Sequence, residues 1–327
     1  MKKIELASSK IMVSKMGLGT WAIGGGPAWG GDKDLDSCID AICESVRCKM
    51  NLIDTAPGYN FGNSEVIVGK ALQKLKREEV VLITKCGIVW NRTGSLFNKV
   101  GDVQLYKNLT GESIRQEAEE SLERLGTDYI DIYMTHWQSV EPFFTPISET
   151  MEVLNELKAE GKIKAIGVAN VDADHIKEYL KYGELDIVQG KYSVLDRSVE
   201  EDLLPICREN RIVLQAYSPL EQGLLSGTLP RDYKPQGAQI GKKWFEAENM
   251  QKAMDMMDEW KPLCEKYECT VADLALAWVM NQGCDITVLS GASTARQIRA
   301  NSKAASIELS HVDLIQMRVL AENLEKK

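Results

Sequence analysis

A chain of 327 residues with 44% hydrophobic and 27% charged residues can bury a sizeable core, which excludes wholesale disorder. Its net charge of −9 comes without a long run of like charges, which argues against nucleic acid or an anionic membrane as the main partner and leaves room for a local basic pocket. No apolar run approaches the roughly 18 residues of a membrane-spanning helix, Met1 to Met16 is too interrupted for an export signal, and eight cysteines without a C-x-x-C pair point to reduced thiols in a cytoplasm and no metal.

The chain opens on a predicted hairpin, Ile4–Leu6 with Ile11–Val13, followed by a strand at Met16–Thr20 and a glycine-rich loop from Trp21 to Gly31. Helical spacing of apolar residues covers Asp34–Lys49, and a buried strand follows at Asn51–Ile53. The alternation then repeats: helix Ser64–Leu75, strand Val80–Lys85, helix Ser113–Leu125, strand Tyr129–His136, helix Ile147–Glu160, strand Ala165–Ala169 and helix Asp172–Lys181. It continues with strand Ile187–Gln189, helix Glu200–Asn210, strand Ile212–Ala216, helix Val271–Asn281, strand Ile286–Leu289 and helix Thr294–Ala304. Eight strand–helix repeats close into a (β/α)8 TIM barrel, so one barrel domain is expected over residues 1–327, with an open doubly wound sheet as the alternative. Two stretches, Cys86–Gly111 and Ser218 to about Ala247, read as long loops after strands and hence over the carboxyl-terminal mouth. They carry Trp90, Phe97, Tyr106, Tyr233, Trp244 and Phe245, which serve either to pack the loops or to line a pocket.

Three successive strand ends deliver reactive side chains: Asp54 and Tyr59 from the second, Lys85 from the third and His136 from the fourth. A phenol has an ordinary pKa near 10. Lys85 is expected to lower it, Asp54 to hold that lysine charged, and His136 to orient a carbonyl oxygen or share the proton transfer. This set suits protonation of a carbonyl oxygen or deprotonation of an alcohol, but none of the four can carry a hydride, so a cofactor must. A lysine at a barrel strand end also suits Schiff-base lyase chemistry, and a dinucleotide site separates the two readings. Gly17-Leu-Gly19-Thr-Trp-Ala22 has the letters of a dinucleotide fingerprint but lacks the helix that should follow. The better candidates are Ser290-Gly-Ala-Ser-Thr294 running into the last helix, and the small residues Tyr217-Ser-Pro-Leu220 and Gln222-Gly-Leu224 after strand seven.

With these residues in place, nearly the whole chain resembles the aldo-keto reductases. The resemblance rests on Gly17-Leu-Gly-Thr-Trp21, Ile53-Asp-Thr-Ala-Pro-Gly-Tyr59 with Asn63-Ser-Glu65, Ile83-Thr-Lys85, and Leu125-Gly-Thr-Asp-Tyr-Ile-Asp-Ile-Tyr133 leading to His136-Trp137. It extends to Gly161-Lys-Ile-Lys-Ala-Ile-Gly-Val168, Ala216-Tyr-Ser-Pro-Leu220 and Gly291-Ala292 with Gln297 and Asn301. It implies a catalytic tetrad of Asp54, Tyr59, Lys85 and His136, with Tyr59 as proton donor. It further implies a nicotinamide cofactor contacted by Trp21, by Asn170 and Gln189 at the carboxamide, and by Tyr217 against the ring. Ser218, Leu220, Gly223 and Leu224 would follow the pyrophosphate, and Gly291, Ser293, Gln297 and Asn301 the adenosine. Trp29, Trp90 and Trp137 are implied on the substrate side.

Among subgroups the likeness is to bacterial reductases related to the inositol-cluster protein and to sugar-active enzymes, so a sugar, polyol or related carbonyl compound is the expected substrate. Two departures stand out: Ala169-Asn170 replaces a common Ser-Asn pair, and Ser293-Thr294 stands where relatives often carry a basic residue for the 2′-phosphate of NADP. NADP(H) is the favoured cofactor, with Arg296 or Arg299 substituting for that residue, and NAD(H) is the alternative. A cofactor-binding, redox-sensing regulatory module is the rival from another functional class.

Overall fold

The computed structural model describes residues 1–325. Eight parallel strands form a closed barrel: β1 (Met16–Gly19), β2 (Leu52–Asp54), β3 (Val81–Cys86), β4 (Ile130–Thr135), β5 (Ile163–Ala169), β6 (Ile187–Lys191), β7 (Val213–Tyr217) and β8 (Ile286–Gly291). Each pairs with its sequence neighbours, and β8 closes on β1 with Val288 opposite Met16. Strands walled by helices on one side and barrel interior on the other are apolar on both faces, and every residue of β3 and β4 is buried. The barrel helices are α1 (Leu35–Arg47), α2 (Asn63–Leu72), α3 (Gly111–Leu125), α4 (Ile147–Ala159), α5 (Ala173–Tyr179), α6 (Leu203–Glu209), α7 (Val271–Met280) and α8 (Ala295–Ser302). Local chemistry fixes several starts. Asp34, Thr110, Asp172, Thr270 and Thr294 each accept an amide proton of the first turn, and α3 stops at Gly126 in the left-handed region.

The core has two parts. The larger lies between the helices and the outer strand faces; the smaller fills the barrel with Leu52, Ile83, Ile132, Met134, Ala165, Ile187 and Val213, and is closed from below by Leu6 and Val13 of the amino-terminal hairpin. Inside the barrel space is short: a Cβ on Gly167 would meet Met134 at 2.8 Å and Ile187 at 2.9 Å. Side chains alternate along a strand, so the face that carries Leu52, Ile83, Met134, Ile187 and Val213 inward also carries Asp54, Lys85, His136, Gln189 and Gln215.

The structure departs from the sequence reading at the connections. Cys86–Gly111 is not a loop. It holds a three-stranded antiparallel sheet of Ile88–Val89, Ser95–Val100 and Val103–Lys107, termed the mouth sheet below. The segment after β7 contains short 3-10 turns and then helices Ala247–Asp258 and Lys261–Lys266, and a further helix, His311–Glu325, follows α8. Trp244 and Phe245 are buried in the core, so there packing is their role. No helix among the described residues is long and apolar enough to cross a membrane, and no group of His, Cys, Asp or Glu among them could hold a metal ion.

Candidate active site

Strand ends β2, β3 and β4 bring the four sequence-derived residues together. Lys85 is fully buried and its Nζ donates to both carboxylate oxygens of Asp54 at 2.8 Å, to the Thr55 carbonyl at 3.0 Å and to Tyr59 Oη at 3.3 Å. The rings of Tyr59 and His136 meet edge-on at 5.7 Å. Tyr59 stands on a tight turn: Asn60, Phe61 and Gly62 follow it with φ of 52°, 54° and 85°, and the Asn60 and Asn63 amides bond the Gly24 carbonyl at 2.9 and 3.0 Å. A run of left-handed residues costs free energy. Those two side chains, the Gly62 amide on the Pro57 carbonyl at 2.7 Å and Trp90 against Phe61 tie it in place.

Burial dominates the electrostatics. It pushes the Asp54 carboxyl up and the Lys85 ammonium down, each opposed by the charge of the other. The expected lowering of the Tyr59 pKa does not occur: burial, then the Asp54 charge, hold the phenol well above 10. The reason is geometric, since Lys85 faces Asp54 at short range and Tyr59 at longer range, so its charge is largely compensated before it reaches the phenol. His136 is pushed well below 6.5 by burial and by Lys85, and is neutral at neutral pH.

Beneath the four lies a pair of glutamines, from β6 and β7. Gln189, expected from sequence at a carboxamide, has its Nε2 bound inside the barrel, to Asp54 Oδ2 at 2.8 Å and to Gln215 Oε1 at 2.6 Å. Its carbonyl oxygen remains for a ligand. Gln215 was not singled out, although a glutamine within Val213-Leu-Gln-Ala216 is a polar interruption of a buried strand.

Aromatic residues wall the mouth on two sides. Trp21 lies 6.2 Å from Tyr59 and 5.1 Å, edge-on, from Trp29; Trp137 packs on Phe97 of the mouth sheet at 5.4 Å; Trp90 packs on Phe61 at 5.7 Å. Thus Trp21 and Trp29 share one wall, Trp137 sits on another, and Trp90 supports the Tyr59 turn.

The residues proposed along a cofactor trace a path from β5 to α8. Asn170 (φ 54°) is clamped, its Oδ1 accepting from Tyr217 Oη at 2.9 Å and its Nδ2 donating to the His136 carbonyl at 2.9 Å. Ser218, Glu221, Gln222 and Gly223 all have positive φ. That strained turn is anchored by buried Glu221, which accepts from Ser193 Oγ at 2.6 Å and from Lys191 Nζ at 2.9 Å. Leu220 is half-buried, but Leu224 is completely buried in the core and offers no side chain to a ligand. Farther on, Gly237 approaches so closely that a Cβ would sit 2.2 Å from the Ala28 carbonyl, so this segment spans from β7 to the Pro27–Trp29 turn. At the other end, Gln297 Oε1 accepts the Ser293 amide at 3.0 Å and the Thr294 hydroxyl at 3.2 Å, Asn301 donates to Ser290 Oγ at 2.6 Å, and Arg299 is paired with Glu44 at 3.0 Å. A Cβ built on Gly223 or Gly291 meets no protein atom within 4 Å, so backbone at both places faces open space that an elongated nucleotide fits.

Comparison with known proteins agrees with this geometry. Residues 15–322 match the aldo/keto reductase family. The chain belongs to that family. It is 67% identical, over the full length of both chains, to a protein of Escherichia coli (strain K12) named NADH-specific methylglyoxal reductase. Among solved structures it resembles a glycerol dehydrogenase from Gluconobacter oxydans (30% identity, TM-score 0.85, covering 98% of this chain and 94% of that one). It also resembles an aldo/keto reductase from Klebsiella pneumoniae determined with NADP and acetate (27% identity, TM-score 0.74, covering 98% and 95%). The chain is therefore an oxidoreductase of a family that uses nicotinamide cofactors and interconverts carbonyl compounds and alcohols.

Proposed function

We propose that this aldo/keto reductase reduces a small aldehyde or ketone with NADH, a 2-oxoaldehyde such as methylglyoxal first among them, and that Tyr59 gives the proton. The observation that carries the reading is the Asp54–Lys85–Tyr59 chain of short contacts at the mouth beside a neutral His136. A bound nicotinamide would supply the hydride, with Asn170, Tyr217 and the Gln189 carbonyl oxygen holding its ring and carboxamide. The phenol keeps its proton at neutral pH, as a donor to a carbonyl oxygen must. Lys85, pinned by Asp54, donates to the phenol oxygen and steadies it as the proton leaves. His136 offers a neutral ring beside Tyr59 to orient the substrate oxygen.

The preference for NADP(H) favoured from sequence gives way to NADH on three supports. The relative at 67% identity is named for NADH. Two donors just before α8, the Ser293 amide and the Thr294 hydroxyl, are already taken by Gln297. Arg299 is bound to Glu44 instead of standing free for a 2′-phosphate. A polyol is the second reading, supported by the likeness to a glycerol dehydrogenase. The Schiff-base alternative is weakened by Lys85 itself, whose ammonium already donates to Asp54, Thr55 and Tyr59.

The test is a parallel titration of the protein with NADH and NADPH by tryptophan fluorescence, followed by turnover of methylglyoxal and of glycerol with the tighter cofactor. NADH binding tighter than NADPH, with methylglyoxal reduced, is the expected result. Tighter NADPH binding overturns the cofactor assignment, and absence of binding by either overturns the mechanism.

A further inference from the structure

Lys107 ends the last strand of the mouth sheet, where it pairs in register with Ile88. Ile88 in turn packs against Gly58, the residue before Tyr59, at 3.4 Å from the position of a Cβ there. The Lys107 ammonium lies 5.1 Å from the ring centre of Trp137, the residue after His136, and 5.5 Å from that of Phe97. Its ammonium thus lies over the aromatic ring next in sequence to His136, and its strand is paired with the one whose Ile88 packs on the Tyr59 turn. The side chain is half-buried and forms no ion pair or hydrogen bond among the described residues; burial alone lowers its pKa, with no nearby charge acting in either direction. The other charged side chains of this connection are engaged elsewhere. Arg92 is bonded to Gln116 and Glu120 on α3, and Lys99 is near Asp102 at the turn.

A cation that has lost part of its hydration, flanked by two aromatic faces and without a carboxylate, gains more from an incoming anion than a fully hydrated lysine would. We propose that Lys107 recognises an anionic group, carboxylate or phosphate, borne by the substrate away from its reacting carbonyl, so that anionic carbonyl compounds are preferred over neutral ones of the same shape. The proposal rests on the reductase reading above and adds a substrate class to it. Aromatic faces alone would treat the charged and the neutral member of such a pair alike. An ammonium between them does not.

The test compares kcat/KM, with saturating NADH, for two matched pairs: 4-oxobutanoate against butanal, and glyceraldehyde 3-phosphate against glyceraldehyde. The first pair reports carboxylate and the second phosphate. A charge-assisted hydrogen bond gives a preference of roughly 10- to 100-fold for the anionic member of at least one pair. Lys107→Met keeps the apolar stem and its packing on Trp137 and Phe97. It should bring that ratio down to about one, and Lys107→Arg should restore most of it. No anion preference in the wild type, or a ratio that Lys107→Met leaves in place, overturns the proposal. So does an equal loss on both members of a pair, which marks the lysine as packing alone. Failure of every aldehyde to turn over with NADH or NADPH counts instead against the reductase reading. In that event calorimetric binding of 4-hydroxybutanoate to wild type and to Lys107→Met decides the role of Lys107: binding lost in the variant supports it, and equal or absent binding overturns it.

Discussion

Gln189 on β6 donates across the barrel axis to Asp54 on β2, 2.8 Å away and four strands distant around the closed sheet. Asp54 therefore accepts from two sides, Lys85 from the adjacent strand and Gln189 from the opposite one. Lys85, and through it Tyr59, is oriented by this one carboxylate.

Replacing Tyr59 by Phe removes the proposed proton donor while keeping the ring against Trp21 and His136. Turnover should fall by about 10²- to 10⁴-fold. Nucleotide binding, measured by fluorescence titration, should change little; near-normal turnover would remove Tyr59 from the mechanism.

Because burial and Asp54 hold the Tyr59 phenol well above 10, and His136 is neutral, neither group changes protonation in the neutral range. The rate of carbonyl reduction should be flat between about pH 7 and about pH 9, as a donor that keeps its proton requires. A decline centred near pH 8 that disappears in a Tyr59 variant's residual rate would show a lowered phenol pKa instead.

Asp54 and Lys85 are both buried, so removing one leaves the other as an unpaired charge. Asp54→Asn or Lys85→Met alone should destabilise by roughly 3–5 kcal/mol. The double variant should cost less than the sum of the two, a coupling readable from urea unfolding. Strict additivity would mean that the pair is not ionised in the folded protein.

Glu117 is a buried carboxyl on α3, bonded by the Gly87 amide and by Ser113 Oγ, and its pKa is raised by burial to about 8. The folded state therefore holds a proton that the unfolded state releases between 4.5 and about 8, so stability declines as pH rises through that window. Glu117→Gln should flatten the decline, worth on the order of a few kcal/mol, so thermal unfolding followed at pH 5 and pH 9 should differ less in the variant than in the wild type.

Gln297 occupies the Ser293 amide and the Thr294 hydroxyl just before α8. Gln297→Ala should uncover them and improve NADPH binding relative to NADH by several-fold, the scale of one or two hydrogen bonds to a phosphate. An unchanged ratio would mean that discrimination lies elsewhere.

The barrel could be read because its strands are short runs of apolar residues separated by helical periods, and Asp54, Lys85 and His136 interrupt those runs at their ends. The mouth sheet could not. Ser95-Leu-Phe-Asn-Lys-Val100 is half exposed and without a regular apolar alternation, and takes its strand form from antiparallel pairing with Val103–Lys107 across Gly101-Asp102. The helix His311–Glu325 carries a signal, since Leu314, Met317, Ala321 and Leu324 recur at helical spacing on the packed side, but it lies beyond the eight strand–helix repeats that define the barrel. Within the site, residue identity gave the membership of the reactive set but not its electrostatics. Whether Lys85 acts on Asp54 or on Tyr59 depends on distances of 2.8 and 3.3 Å, which spacing along the chain does not contain.

The mouth sheet is inserted in a single connection, between β3 and α3, and meets its surroundings through Ile88, Trp90, Phe97 and Lys107, through Arg92 on α3, and through Ser95 bonded to Val140 and Phe143. None of the hydrogen bonds among Asp54, Lys85, Gln189 and Gln215 passes through it. Residues 88–107 thus lie outside the hydrogen-bond chain of the site while bracing the Tyr59 turn by packing. An exchange of this insert for one of different shape and charge would retarget the enzyme, provided that the Ile88 and Trp90 contacts that brace the Tyr59 turn are kept.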